Sequence, residues 1–149
     1  MSGSTSSALA YSSFSIAEQV SSLLRRSVDH LADEVPDSYR LVLERLGPMV
    51  VELDVDGELF SLRGGHRLEV ADGAADTARA RIATSRAAIL DVLDARVALG
   101  EAVETGTVAV RGTLDDVQRA RDTLLAYAHA AVRAPSQPAL LAALRAGPS

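Results

Sequence analysis

At Gly47-Pro48 the hydrophobic period of this chain drops from 3.6 residues to 2, and that switch limits what the chain can build. Before it, Ile16, Val20, Leu23, Leu24, Val28 and Leu31 recur at helical spacing over residues 15–34, with Ser15 as N-cap and Glu18 completing a capping box. Pro36 fits the first turn of a second, shorter helix whose apolar residues are Leu41, Val42 and Leu46. After the switch, Val51, Leu53 and Val55 alternate with Glu52, Asp54 and Asp56, which specifies a strand with one solvated face. Helical and strand periods in separate blocks indicate an α+β chain.

The strand block continues through turn signals. Asp56-Gly57 predicts a hairpin into a second strand at 59–63, Gly64-Gly65 a turn into a third at 66–71, and Asp72-Gly73 a turn into a fourth at 77–84. An antiparallel meander is the simplest arrangement of these four. Thr84 or Ser85 caps a helix with Ala88, Ile89, Val92 and Leu93 on its apolar face, and Gly100 interrupts the continuation through Val97, Leu99, Ala102 and Val103, so two short helices are expected. A fifth strand covers 107–111. Thr113 with Asp116 three residues on then caps a closing helix that buries Val117, Ala120, Leu124, Leu125, Ala128 and Val132. Beyond Pro135 and Pro138, residues 139–145 form a short helix with Leu140, Leu141 and Leu144 on one side.

The order strand, apolar helix, short apolar segment, glycine-flanked strand and capped helix over residues 80–117, with Gly106-Thr107-Val108-Ala109-Val110-Arg111-Gly112 at its centre, resembles the sterol-carrier-protein-2 family. The likeness extends over roughly residues 50–132. It implies a five-stranded, largely antiparallel or mixed sheet covered on one face by helices, a stand-alone bacterial domain, and an apolar tunnel that holds lipids or other hydrophobic molecules. By that resemblance the tunnel wall is Ile89, Val92, Leu93, Val97, Leu99 and Val103, with Phe60, Leu62, Val108 or Val110 and Leu124 around it. The organisation expected is a disordered lead at 1–14, N-terminal helices at 15–47, the family-like domain at 48–134 and a tail at 135–149. The family's peroxisomal targeting tripeptide has no counterpart at Ala146-Gly147-Pro148-Ser149.

Composition agrees with a hollow interior. Of the 149 residues 48% are apolar but only 3% aromatic, so Ala, Val and Leu must fill the core, and small side chains leave space more readily than rings. The formal net charge of −5, with arginines scattered among acids, argues against nucleic acid as a partner, which would need a concentrated positive face. Cysteine is absent, which removes disulfides, thiolate metal sites and a cysteine nucleophile. The N-terminal residues show no basic n-region or long apolar h-region, and no apolar run reaches 18 residues, so a cytoplasmic location is expected.

Groups able to do chemistry are few. His66, placed at a strand start after two glycines, is the candidate proton-transfer residue; Glu101 and Glu104, with Arg111 nearby, are candidate acid and base groups. His30 and His129 read as surface residues, and no pair of histidines has metal-ligand spacing. The reading is a non-catalytic carrier for a lipid, sterol-like or polyketide-like molecule, without cofactor or metal, in which Arg63, Arg111 or His66 meets a polar head at the rim. A cofactor-independent isomerase, dehydratase or cyclase using the same pocket is the alternative. A dimerising interaction module is the third. The leucine patch of the tail docks on the body in the first reading, and otherwise plugs the tunnel, meets a membrane surface or pairs in a homodimer.

Overall fold

The computed structural model describes residues 19–146. In chain order its elements are α1 (Val20–Glu34), α2 (Pro36–Leu46), β1 (Val50–Val55), β2 (Glu58–Arg63), β3 (Glu69–Asp72), β4 (Ala80–Thr84), α3 (Arg86–Leu93), α4 (Leu99–Glu104), β5 (Ala109–Gly112), α5 (Leu114–Arg133) and α6 (Gln137–Arg145). The lead at 1–14, the Ser15 cap, Ile16 and Glu18 lie outside the described residues. Helix α1 itself starts at Val20, after an extended Gln19 whose side chain gives no cap.

Alternation in β1 fixes the two faces of the sheet. Leu53 stands opposite Phe60 of β2 and Ile82 of β4, Val51 opposite Leu62 and Ala80, and Ile82 opposite Val110 of β5. These side chains share the face on which the helices pack. On the other face Glu52 lies beside Arg81, with 3.4 Å between Oε2 and Nε, and Arg81 stands opposite Arg111. Charges of this kind belong in water, and none of the described helices packs on this side of the sheet.

The strand order is β3-β2-β1-β4-β5, with β1 and β4 parallel and the other pairs antiparallel. The sheet is therefore mixed, and the meander expected of the first four strands is corrected. After β3, at one edge, the chain crosses to the free side of β1. The crossing loop is held by Ala75 N donating to Glu52 Oε1 at 2.9 Å and by Arg79 N donating to the Val50 carbonyl at 2.9 Å. Alternation assigns side chains to faces, but which strand lies beside which is a tertiary outcome.

Three further expectations shift. The third strand begins at Glu69, not at His66, because residues 64–68 form a loop fastened by Leu68 N donating to the Tyr39 hydroxyl at 2.9 Å. The two short helices are separated at residues 94–98, where Ala95 takes φ 62°, and Gly100 lies inside α4. Helix α5 buries Ala120, Thr123, Ala126, Ala130 and Ala131, whereas Leu125 and Val132 are exposed. Its small residues face α2, where close helix approach favours alanine over leucine.

The caps follow the sequence. Ser85 Oγ accepts from Ala88 N at 3.0 Å at the start of α3, and Thr113 Oγ1 accepts from Asp116 N at 3.2 Å at the start of α5. Asp56 and Gly57 both take positive φ in the first hairpin, as a tight two-residue turn demands.

Candidate functional site

Packing between the sheet and the helices is incomplete in one place. A cavity of about 190 Å³ lies there. The sheet supplies Leu53, Val55, Phe60, Ile82 and Thr84 as its floor; Ile89, Val92, Leu93 and Leu99 come from α3 and α4, and Val108 precedes β5. Leu124, Tyr127 and Ala128 of α5 form another wall. Val20, Leu23, Leu24 and Ser27 close it from α1, and Gln137, Leu140, Leu141 and Leu144 from α6.

Seven of the residues expected around a tunnel meet at this cavity: Phe60, Ile89, Val92, Leu93, Leu99, Val108 and Leu124. Leu62, Val97, Val103 and Val110 do not line it and pack instead against the larger core cluster, although Leu62 and Val110 share the helix-covered sheet face. The contribution of α1 was missed by sequence reasoning. Its apolar stripe is plain in the chain, but nothing local says that the stripe faces a hollow rather than solid core. The leucines of α6 dock, with Leu144 buried, and they cover the cavity as they do so.

Among the described lining residues there is no Asp, Glu, Lys, Arg or His. The polar ones are Ser27, Thr84, Tyr127 and Gln137. The Ser27 and Tyr127 hydroxyls hydrogen-bond to each other across α1 and α5, and Thr84 Oγ1 donates to the Thr107 carbonyl at 2.9 Å. Burial pushes the Tyr127 phenol well above its ordinary range, with the Ser27 bond opposing only part of that rise, so the phenol stays neutral at physiological pH.

Helix α6 is pinned over the cavity at both ends. At its start the Glu34 carboxylate accepts from Ser136 N at 3.0 Å and from the Ser136 hydroxyl. At its end Arg86 Nη1 donates to the Leu144 carbonyl at 3.1 Å, and Arg145 Nη2 lies 2.6 Å from Asp94 Oδ2. Burying Leu144 adds about 1.5–3 kcal/mol to the same attachment.

The groups weighed for catalysis are elsewhere. His66, Glu101, Glu104 and Arg111 are exposed, none lines the cavity, and Arg111 lies on the opposite face of the sheet. Arg63 is exposed as well and does not reach the lining. No group of three or more potential metal ligands occurs among the described residues, and none of their helices is long and apolar enough to cross a membrane. A second, polar cleft runs between α2, the start of β4 and α5. Two of its arginines are engaged internally: Arg79 Nε lies 3.6 Å from Asp116 Oδ2, and Arg119 Nη1 donates to the Arg45 carbonyl at 3.2 Å.

The chain matches no protein-family model and no curated protein. Among solved structures it is similar to a UbiJ-SCP2 ubiquinone synthesis protein, with 18% identity, a TM-score of 0.54 and coverage of 72% of this chain and 90% of that one. It is also similar to apo sterol carrier protein 2 from Yarrowia lipolytica (13% identity, TM-score 0.47, 74% and 91% covered). A third likeness is to sterol carrier protein 2 like 2 from Aedes aegypti (14% identity, TM-score 0.45, 66% and 97% covered). The first superposition, together with the five-stranded mixed sheet and its single helical layer, shows that this chain has the sterol carrier protein 2-like α+β fold.

Proposed function

We propose that this protein binds and carries a hydrophobic small molecule of lipid-like character in the cavity between its sheet and helices. The observation that carries the reading is an apolar hollow of about 190 Å³ whose described walls hold no ionisable side chain except a neutral tyrosine. Such a hollow lacks dispersion contacts that a guest can restore, and apolar cavities of about 150 Å³ are known to stay dry and take up small apolar molecules. The fold supports the same reading, since the structure on which it superposes is that of a UbiJ-SCP2 ubiquinone synthesis protein.

Size adds a mechanical requirement. Pockets that enclose whole drug-sized ligands measure about 300–1,000 Å³. A guest longer than a short chain or single ring therefore extends through the open side of the hollow or displaces part of the wall, and α6 is the part held by a few polar contacts at its ends. Binding proceeds by release of α6, insertion of the apolar body, and return of the helix. Placement of His66, Glu101, Glu104 and Arg111 away from the lining favours binding over turnover.

Native mass spectrometry of protein purified without detergent tests this. The expected spectrum carries an extra mass that organic solvent extracts, and Val92→Trp, which fills the hollow, removes it while the fold survives. Protein without an added mass that also takes up no supplied hydrophobic probe rules the reading out.

A further inference from the structure

Helix α1 begins at the edge of the hollow. Val20 and Leu23, in its first turn, line the cavity, and the Glu58 carboxylate fixes this end by accepting from Val20 N at 2.8 Å and from Ser21 N at 2.9 Å. Gln19 before it is extended, at φ −68° and ψ 149°, so the chain leaves the helix axis there. Residues 1–18, which lie outside the described residues, are therefore tethered directly beside a lining residue. The hollow is open to solvent on one side.

The chemistry of the tethered segment matches that opening. Residues 1–17 hold no Asp, Glu, Lys, Arg or His, and Tyr11 and Phe14 are two of the chain's five aromatic residues. An apolar cavity of about 150 Å³ accepts benzene, so one of about 190 Å³ accepts a phenyl side chain. Tyr11 would carry a hydroxyl into walls that are almost wholly apolar and lose its hydrogen bonds to water, whereas Phe14 brings no polar atom. Phe14 stands five residues before Gln19, a stretch that spans up to about 17 Å and leaves the ring free to turn back to the lining. On so short a tether the ring meets the hollow at an effective concentration in the millimolar range.

We propose that Phe14 seats in the hollow of its own chain when no guest is bound, and that an incoming guest displaces it; the displacement rests on the binding function proposed above. The segment thus shields the apolar lining between guests. It also lowers the guest's apparent affinity in proportion to the fraction of chains in which the ring is seated.

The test uses the full chain, in which the absence of cysteine lets Ser13→Cys carry a single nitroxide beside Phe14. In guest-free protein the label is expected to broaden the δ1 methyl signals of Ile82 and Ile89, and saturating 2-octanone is expected to restore them. Phe14→Ser without the label is expected to bind 2-octanone about threefold to tenfold more tightly, and Tyr11→Ser to bind it as the wild type does. Unbroadened methyls, or a ketone affinity unchanged in Phe14→Ser, overturn the proposal while leaving hydrophobic binding intact. Broadening seen only when spin-labelled chain is mixed with methyl-labelled chain assigns the segment to a second copy and overturns it too. If the methyls are broadened but no ketone enters, the binding function falls and the exchange with it.

Discussion

The carboxylate of Glu58, at the start of β2, closes the N-terminus of α1: Oε1 accepts from Val20 N at 2.8 Å and Oε2 from Ser21 N at 2.9 Å. No acidic residue stands in the first turn of α1, so this cap arrives from 38 residues away. It satisfies two of the helix's open donors and places negative charge at the positive end of the dipole. Glu58→Ala is expected to lower stability by about 1–2 kcal/mol, and Glu58→Gln by about half as much, in urea unfolding followed by circular dichroism. Because Val20 and Leu23 line the cavity, the alanine variant also weakens binding of a hydrophobic probe. An unchanged unfolding midpoint would contradict this role.

Glycine at position 64 is required by a close backbone approach. A Cβ there would lie 2.1 Å from the Gly47 carbonyl oxygen and 3.3 Å from Leu46 Cδ2. The first of these atoms is backbone and cannot rotate aside. Gly64→Ala is expected to cost about 3 kcal/mol, visible as a lower thermal midpoint. Gly100→Ala is the counterpart: it lies within α4 with nothing within 4 Å, and should stabilise by about 0.5–1 kcal/mol.

Ala95 ends α3 in the left-handed region, at φ 62°, where a Cβ crowds the following carbonyl. Its amide donates to the Val92 carbonyl at 3.1 Å, so the conformation is held by the helix terminus. Ala95→Gly is expected to raise stability by about 0.5–1 kcal/mol, measured by the same denaturation. Loss of stability would show that the alanine methyl makes a contact worth more than the strain.

The two bonds from Ser136 hold the Glu34 carboxyl below the ordinary carboxylate range, with nearby His30 adding to the effect. A depressed folded-state pKa means that this group stabilises the fold at neutral pH and ceases to do so as pH falls through its folded value. Wild-type protein should thus lose stability below about pH 4.5, and Glu34→Gln should flatten part of that fall. Asp72, lowered chiefly by its bond to Arg25 at 3.0 Å, adds to the fall in the same direction. Thermal midpoints at pH 7, 5, 4 and 3 for the two proteins check the slope. Equal slopes would mean that the latch between α1 and α6 carries no proton linkage.

Features set by near neighbours in the chain were readable from sequence. The alternation of Val51, Leu53 and Val55 with Glu52 and Asp54 placed the sheet's two faces correctly because a period of two is a local property. Asp56-Gly57, Ser85 and Thr113 marked a turn and two caps for the same reason. Position of β4 beside β1 was not readable, since it depends on a crossing loop tied to Glu52 and Val50. Leu125 and Val132 were assigned to the core from their chemistry, yet α5 turns its alanines inward because α2 comes close. The site divides in the same way. Ile89, Val92 and Leu93 could be named from one helix face, but Leu24 and Tyr127 meet only because α1 folds back onto the sheet, and Gln137 offered no pattern at all.

The most direct measurement of the central claim uses isoleucine methyl groups. Ile82 lies on the cavity floor and Ile89 in the wall above it, so their δ1 methyls report on the hollow from two elements. With 2-octanone added to selectively methyl-labelled protein, intermolecular NOEs are expected from the ketone chain to both methyls, saturating together at one equivalent. Saturable binding that touches neither methyl, or NOEs confined to exposed residues such as Leu125 and Val132, would contradict the account.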